Sequence, residues 1–397
     1  WGRLGMRCKL GDISEITKLA GYEFTKYIKY IPDGEIIAVR ALNLKNGALV
    51  LDDIQRISKE VSETLPRSQL HKNDIVLSYT GTLGECAQIR EDGKYHLAPN
   101  VCKITPNDSV VNPNFLFQYI RCEKFKQTLI NYAHGSTQPT IPMSTIRDIP
   151  VDIPDDLEKQ GKIAAILSIL DEKIAINRAI NDNLEQQAQA VFRQELLQNG
   201  ELPPNWTTGS LLDIADYLNG LAMQKFRPVD GERGLPVLKI KELRQGFCDY
   251  SSELCSPNIK PEFIVHDGDV IFSWSGSLLV DLWCGGTCGL NQHLFKVTSV
   301  KYPKWFYYTW TAHHLARFVA IAADKATTMG HIKREDLAKA EVIIPDVASM
   351  ERIGGVLQPI YDLVINQRIE NRKLSMLRDS LLPKLMSGEL DVSVVEL

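Results

Sequence analysis

Apolar side chains return at steps of four and three along two stretches of this chain. The first runs through Ile163, Leu167, Leu170, Ile174, Asn177, Asn181, Leu184, Ala188 and Val191. The second runs through Ile353, Leu357, Ile360, Val364, Gln367, Asn371, Leu374, Arg378 and Leu381. A period near 3.5 predicts two long helices packed along a coiled-coil seam. A helix over 157–197 has a length of ~60 Å at ~1.5 Å per residue. Two amides interrupt each seam at matching places. In an antiparallel pair the numbers of facing residues have a constant sum, so Asn177 is expected opposite Asn371 and Asn181 opposite Gln367. Such an amide layer fixes register; a solvent-facing turn would suit the same residues.

Outside these stretches the pattern shortens. Runs rich in β-branched and aromatic residues at 36–40, 74–79 and 101–105, and again at 235–240, 269–274 and 294–298, are bounded by Gly, Pro and Asn and read as strands. Pro113 and Pro303 suit the first turn of helices over 115–130 and 305–322. Asp155 and Asp346, each following a proline, are expected to cap the long helices.

These elements come twice because the sequence does. "HKNDIVLSYTGTL" at 71–83 returns as "HDGDVIFSWSGSL" at 266–278. "LGDISEI" (10–16) matches "LLDIADY" (211–217), and "IAVRALNLKNG" (37–47) matches "LPVLKIKELRQG" (235–246) with one inserted residue. "STQPTI" (136–141) pairs with "TTMGHI" (327–332), and "VDIPD" (151–155) with "VIIPD" (342–346). A whole-chain duplication follows. The expected fold is α+β, with two similar α/β domains at 1–155 and 201–346. Helical segments at 156–200 and 347–397 separate them as an antiparallel coiled coil about an internal pseudo-two-fold.

Composition narrows the class. With 397 residues, 44% hydrophobic and 24% charged, the chain reads as a globular protein of two or three domains. No apolar run is long enough to span a bilayer, the first residues lack the apolar stretch of a signal peptide, and eight cysteines follow no shared pattern between the halves. A reducing cytoplasm is the expected setting. Cys284, Cys288 and His293 have zinc-like spacing, but their repeat counterparts carry no such ligands, so free thiols are expected and no metal. A net charge of −4, with no strongly basic segment, excludes a simple basic nucleic-acid binder.

Catalytic patterns are absent. There is no phosphate loop, dinucleotide fingerprint, nucleophile elbow or zinc-protease motif. "NPNF" at 112–115 and "PDDLEK" at 154–159 each lose their chemistry in the repeat partner, where helix initiation and capping explain both copies. The chain is expected not to be an enzyme. What both copies keep is Ser-aromatic-Thr/Ser-Gly-Thr/Ser, at 78–82 and 273–277. Small hydroxyls around a glycine suit close approach to a polymer backbone, and the aromatic can stack or pack in the core. Candidate base readers are Arg40, Asn43, Ser78, Tyr79, Thr82, Gln138 and Thr140 in the first domain. Lys239, Lys241, Ser273, Trp274, Ser277 and His331 are the candidates in the second.

The series "LGDI", "NDIVLSYTGTLG", "GSTQPTI", "IPVDIPDDLEKQGKIAAIL" and "LLPKLMSGEL", with the link "LPPNWTTGSLLDI", resembles the specificity subunit of type I restriction–modification systems over nearly the whole chain. Gly135 and Gln160 become Ala326 and Met350 in the second copy, which puts individual contacts there in doubt. The resemblance implies two target-recognition domains that each read one half of a split double-stranded DNA site. It implies a helical rod that sets the spacer and docks two methyltransferase subunits. No cofactor is implied for this chain; S-adenosylmethionine, ATP and Mg belong on the methyltransferase and restriction/translocase subunits. The specificity subunit of a related system that cuts on both sides of its site, or a two-site scaffold for a non-DNA partner, would share this architecture.

If the rod is the ruler, four residues inserted after Leu184 add roughly 6 Å. At about 3.4 Å per base pair, the preferred spacer then lengthens by one or two pairs with both half-sites unchanged. Methylation mapping of an active complex checks this; an unchanged spacer would refute it.

Overall fold

A computed structural model describes residues 6–135, 138–197, 202–324 and 331–392. Ser136 and Thr137 of "STQPTI", positions 327–330 of "TTMGHI", and Ala326 lie outside the described residues. The chain divides into two compact units: residues 1–172 with 375–397, and 173–374.

In the first unit an antiparallel sheet takes the order Ser14–Lys18, Val101–Pro106, Ile75–Ser78, Cys86–Gln88. A second sheet takes the order Gln55–Ile57, Ile36–Val39, Tyr95–Leu97, Gln69–Leu70, with its two central strands parallel. The second unit repeats both. Asp216–Asn219, Leu294–Thr298, Val270–Ser273 and Leu279–Leu282 form the antiparallel sheet. Leu254–Cys255, Leu235–Leu238, Cys288–Leu290 and Ile264–Val265 form the other, again with a parallel central pair. Strand for strand, the order and direction agree. A further antiparallel ladder closes each globular region just before its long helix: Met6–Lys9 on Pro150–Ile153, and Thr207–Ser210 on Glu341–Ile344.

The two expected mid-size helices are each broken in two. Helix Pro113–Arg121 has proline in its first turn, and Asn112 Oδ1 accepts from the Asn114 and Phe115 amides. It stops at Cys122, which is extended (ψ 150°), and Glu123–Asn131 follows. Its counterpart runs Lys304–His313 and then Leu315–Asp324, so Pro303 takes the capping position itself. Cap assignments also shift by one. Asp346 accepts from the Ser349 amide as expected, whereas in the first copy it is Asp156, not Asp155, that accepts from the Glu158 amide. The first copy has a second aspartate after its proline, and its helix begins one residue later.

The long helices are Leu157–Leu196 and Val347–Ser387. Ile163, Leu167, Ile174, Asn177, Asn181 and Ala188 on one, and Ile353, Leu357, Val364 and Leu382 on the other, are buried. Within each unit the helices contribute to the core of the globular region. Ile163, Ala164, Leu167, Leu382 and Leu385 join Leu10, Ile13 and Phe115; Ala188, Phe192, Leu196, Ile353, Leu357 and Tyr361 join Trp305, Phe306 and Phe272.

Charge anchors the helices to the globular regions. In the first unit Asp171 accepts from Arg121 Nη1, from Gln118 Nε2 (2.7 Å) and from Arg378 Nη1 (2.9 Å). In the second unit the polarity is reversed. Arg368 donates to Asp281 (2.6 Å) and Glu185 (2.7 Å), and Arg372 grips Asp267 through both Nη atoms (2.7 and 2.8 Å).

Asn177 Nδ2 donates to Asn371 Oδ1 at 2.9 Å and to Glu370 Oε2 at 2.7 Å, the facing expected of an antiparallel pair. Asn177 Oδ1, Asn181 Oδ1 and Gln367 Oε1 are all buried with no hydrogen-bond partner, so Asn177 is tied into the layer through its Nδ2 alone. An orphaned buried acceptor costs ~1–3 kcal/mol, whereas losing a satisfied bond strands its partner at a similar cost. Asn177→Leu is therefore expected to destabilise by about 1–2 kcal/mol and Asn181→Leu to be neutral or stabilising. Urea unfolding of the two variants checks this; equal losses would contradict the assignment.

Candidate nucleic-acid interface

The repeated hydroxyl motif forms the same turn in both units. Strands Ile75–Ser78 and Val270–Ser273 end in it, and Gly81 and Gly276 adopt φ of +79° and +65° there. Little crowds either position, so the glycine is required by backbone conformation rather than by space. A downstream segment seals each turn. The Ile141 amide donates to the Tyr79 carbonyl (3.0 Å), and the Ile332 amide donates to the Trp274 carbonyl (2.9 Å). Bridges Thr80–Thr140 and Ser275–His331 complete the match. "SYTGT" and the end of "STQPTI" thus form one platform, as do "SWSGS" and the end of "TTMGHI".

In the first unit this platform borders a cleft of about 530 Å³ lined by Tyr30, Arg40, Ala41, Leu42, Leu44, Thr80, Gly81, Thr82, Pro99 and Asn100. Its loops leave the C-terminal ends of strands Ile36–Val39, Ile75–Ser78 and Tyr95–Leu97. The cleft brings Arg40 and Thr82 together from the expected set. Thr140 reaches its edge through a 2.8 Å hydroxyl contact with Thr80, and Gln138 is exposed beside it in sequence. Tyr79 is half-buried, with Lys18 Nζ 5.4 Å from its ring centroid, and burial raises its hydroxyl pKa. It braces the platform. Tyr30, Thr80 and Asn100 were not anticipated; Thr80 lies inside the repeated motif, which was the available signal.

Three expected readers are structural. Asn43 is fully buried: its Oδ1 accepts the Arg40 amide, and its Nδ2 donates to the carbonyls of Val50 and Asp53. Ser78 is fully buried, donating to the Thr82 carbonyl while its Oγ accepts the Glu85 amide (3.0 Å). Ser273, equally buried, donates to the Ser275 carbonyl at 3.2 Å. Each polar group is consumed by the turn it stabilises, so none is left for a base edge.

In the second unit Trp274 is half-buried. Its Nε1 donates to Asn219 Oδ1 (3.0 Å), and its ring lies among Phe295, His293 and His331 at centroid distances of 5.7, 6.1 and 6.3 Å. Ser277 and His331 are exposed. Lys241 Nζ is held by Asp249 (3.2 Å) and Ser251 Oγ (2.8 Å). Partial burial raises the Asp249 carboxyl, but hydrogen bonds from Ser251, Lys241 and Gln245 outweigh it and bring the pKa to about 2. Lys239 Nζ is held by Glu253 at 2.6 Å.

Among the described residues no three His, Cys, Asp or Glu side chains converge on a metal-sized site, and no helix is long and apolar enough to cross a membrane.

A loop platform on paired sheets thus occurs once in each unit. Residues 6–186 match the type I restriction modification DNA specificity domain. Over that stretch the chain resembles the DNA specificity domain of type I restriction–modification systems, and along most of its length it is similar to specificity subunits of that class. It is 27% identical to the type I restriction enzyme MjaIX specificity subunit of Methanocaldococcus jannaschii over 73% of this chain and 71% of that one. It is 24% identical to the EcoKI specificity subunit of Escherichia coli K12, over 98% and 90% of the respective chains. The crystal structure of a type I restriction–modification S subunit from M. genitalium superposes with a TM-score of 0.54 at 13% identity, covering 97% of this chain and 96% of that one, which shows a shared fold.

Support and contact are separable by mutation. Ser78→Ala removes two turn hydrogen bonds and is expected to cost about 1–2 kcal/mol of stability. Thr82→Val, at an exposed position, is expected to leave stability within about 0.5 kcal/mol and to weaken DNA binding alone. Thermal melts alongside DNA titration distinguish the two; a stable Ser78→Ala would remove the structural role.

Proposed function

We propose that this chain recognises a bipartite double-stranded DNA target, one half-site per globular region, and recruits two adenine methyltransferase subunits and the restriction/translocase subunits to it. The observation that carries the reading is the platform built twice with the same strand order and the same sealing contacts. Divergent side chains on one scaffold suit two different half-sites. S-adenosylmethionine would sit on the methyltransferase subunits, and ATP with Mg on the restriction subunits, in a cytoplasmic complex.

The long helices supply the docking surface in this reading. Ile176 and Ile180, one turn apart, are 56% and 39% exposed, and Val356 and Leu363 are 49% and 43% exposed. Apolar side chains left uncovered at helical spacing suit a protein partner. The net charge of −4 fits as well, because partner subunits can supply cations to the phosphates.

The purified chain alone is expected to show no methylation and little sequence preference. With its methyltransferase it should direct adenine methylation to a split site. Exchange of residues 1–155 for the corresponding region of a relative should alter one half-site only. Methylome sequencing reads both results, and a change in both halves would overturn the modular reading.

A further inference from the structure

The two units share a detail that the repeat in sequence conceals. Arg40 follows strand Ile36–Val39, and Lys239 follows the matching strand Leu235–Leu238. Each backbone amide is held by the side chain three residues on, Asn43 Oδ1 at 3.1 Å or Glu242 Oε2 at 3.3 Å. Each side chain then meets a carboxylate thirteen or fourteen residues later: Arg40 Nη2 to Asp53 Oδ1 at 2.9 Å, and Lys239 Nζ to Glu253 Oε1 at 2.6 Å.

Both acids face solvent, with Asp53 69% and Glu253 40% exposed. The cations are partly sheltered, Arg40 21% and Lys239 38% exposed, but an ion pair with one partner in solvent is largely screened and contributes ~0–1 kcal/mol, so stability gives little reason for it to occur at the same place twice. Donors also remain. Arg40 uses only Nη2 on Asp53, its Nε is buried without a partner, and the residue lines the cleft beside Thr80, Thr82 and Asn100. Glu253 is shared with Arg227 at 3.2 Å, and its hydrogen bond from Lys239 holds the carboxyl below the usual range. It is therefore an ionised acceptor at neutral pH.

In the major groove, guanine presents two acceptors, O6 and N7, and its paired cytosine presents the N4 amino donor beside them. A fixed cation next to a fixed carboxylate is the complement of that edge. Resting on the DNA-recognition reading above, we propose that Arg40 with Asp53, and Lys239 with Glu253, each read one G·C pair, one in each half-site. The cation donates to guanine, and the carboxylate accepts from cytosine. Before DNA arrives the acid orders the cation and cancels its charge, which limits attraction to random phosphates. Asp53 and Glu253 are thus specificity determinants, although carboxylates repel the DNA backbone.

The test is selection from duplexes with both half-sites randomised, using the full chain bound to its methyltransferase subunits, followed by sequencing. The wild type should return a fixed G·C pair in each half. Arg40→Lys and Asp53→Asn should relax that pair in the first half-site by roughly five- to a hundred-fold, leaving the second intact; Lys239→Ala and Glu253→Gln should do the converse. Asp53→Asn keeps the backbone carbonyl that anchors Asn43, and melting verifies that each variant folds. A split site without these pairs, or variants that weaken all sequences equally, would overturn the proposal alone. A wild-type complex with no sequence preference would overturn the DNA-recognition reading as well.

Discussion

Neither globular region closes its hydrophobic core with its own residues alone. The first core takes Leu382 and Leu385 from the end of the second long helix, and the second core takes Ala188, Phe192 and Leu196 from the end of the first. Each core also takes residues from the long helix that follows its own globular region, Ile163, Ala164 and Leu167 in the first and Ile353, Leu357 and Tyr361 in the second. Burial of apolar area is the dominant favourable term in folding, so both long helices contribute to the stability of each globular region.

The ionic anchors show how far the two copies have diverged under that constraint. One unit places the carboxylate on the helix and the arginine on the globular region; the other does the opposite. Partly buried pairs of this kind are costly to break from one side only, so a change of polarity requires both partners to change together. The backbone plan is shared by the two copies while the chemistry on it differs.

Within the platforms, polar side chains divide by what the backbone demands of them. Asn43, Ser78 and Ser273 satisfy amides and carbonyls that tight turns leave unpaired. Arg40, Thr82, Lys239, Ser277 and His331 stand at the surface that those turns create. Loops positioned by a rigid scaffold are where recognition residues concentrate, and here the scaffold residues come from the same short motif as the candidate readers.

The duplication, the α+β class, the two long helices and the facing of Asn177 on Asn371 were all legible in the sequence, because periodicity and repeats report local geometry that neighbours three, four or two residues apart decide. Local rules failed where a single residue shifted a boundary, at Asp156 and at Cys122. They failed more deeply for the site. Whether a serine or an asparagine is free depends on which backbone groups a turn brings within 3 Å, and no spacing rule reveals that. The pairing of Arg40 with Asp53 and of Lys239 with Glu253 likewise joins residues across a loop whose path the strand pairing sets. The helical and sheet periods were determined by the sequence itself; which polar groups remained unspent was decided by tertiary structure, because hydrogen bonds are satisfied by proximity in space.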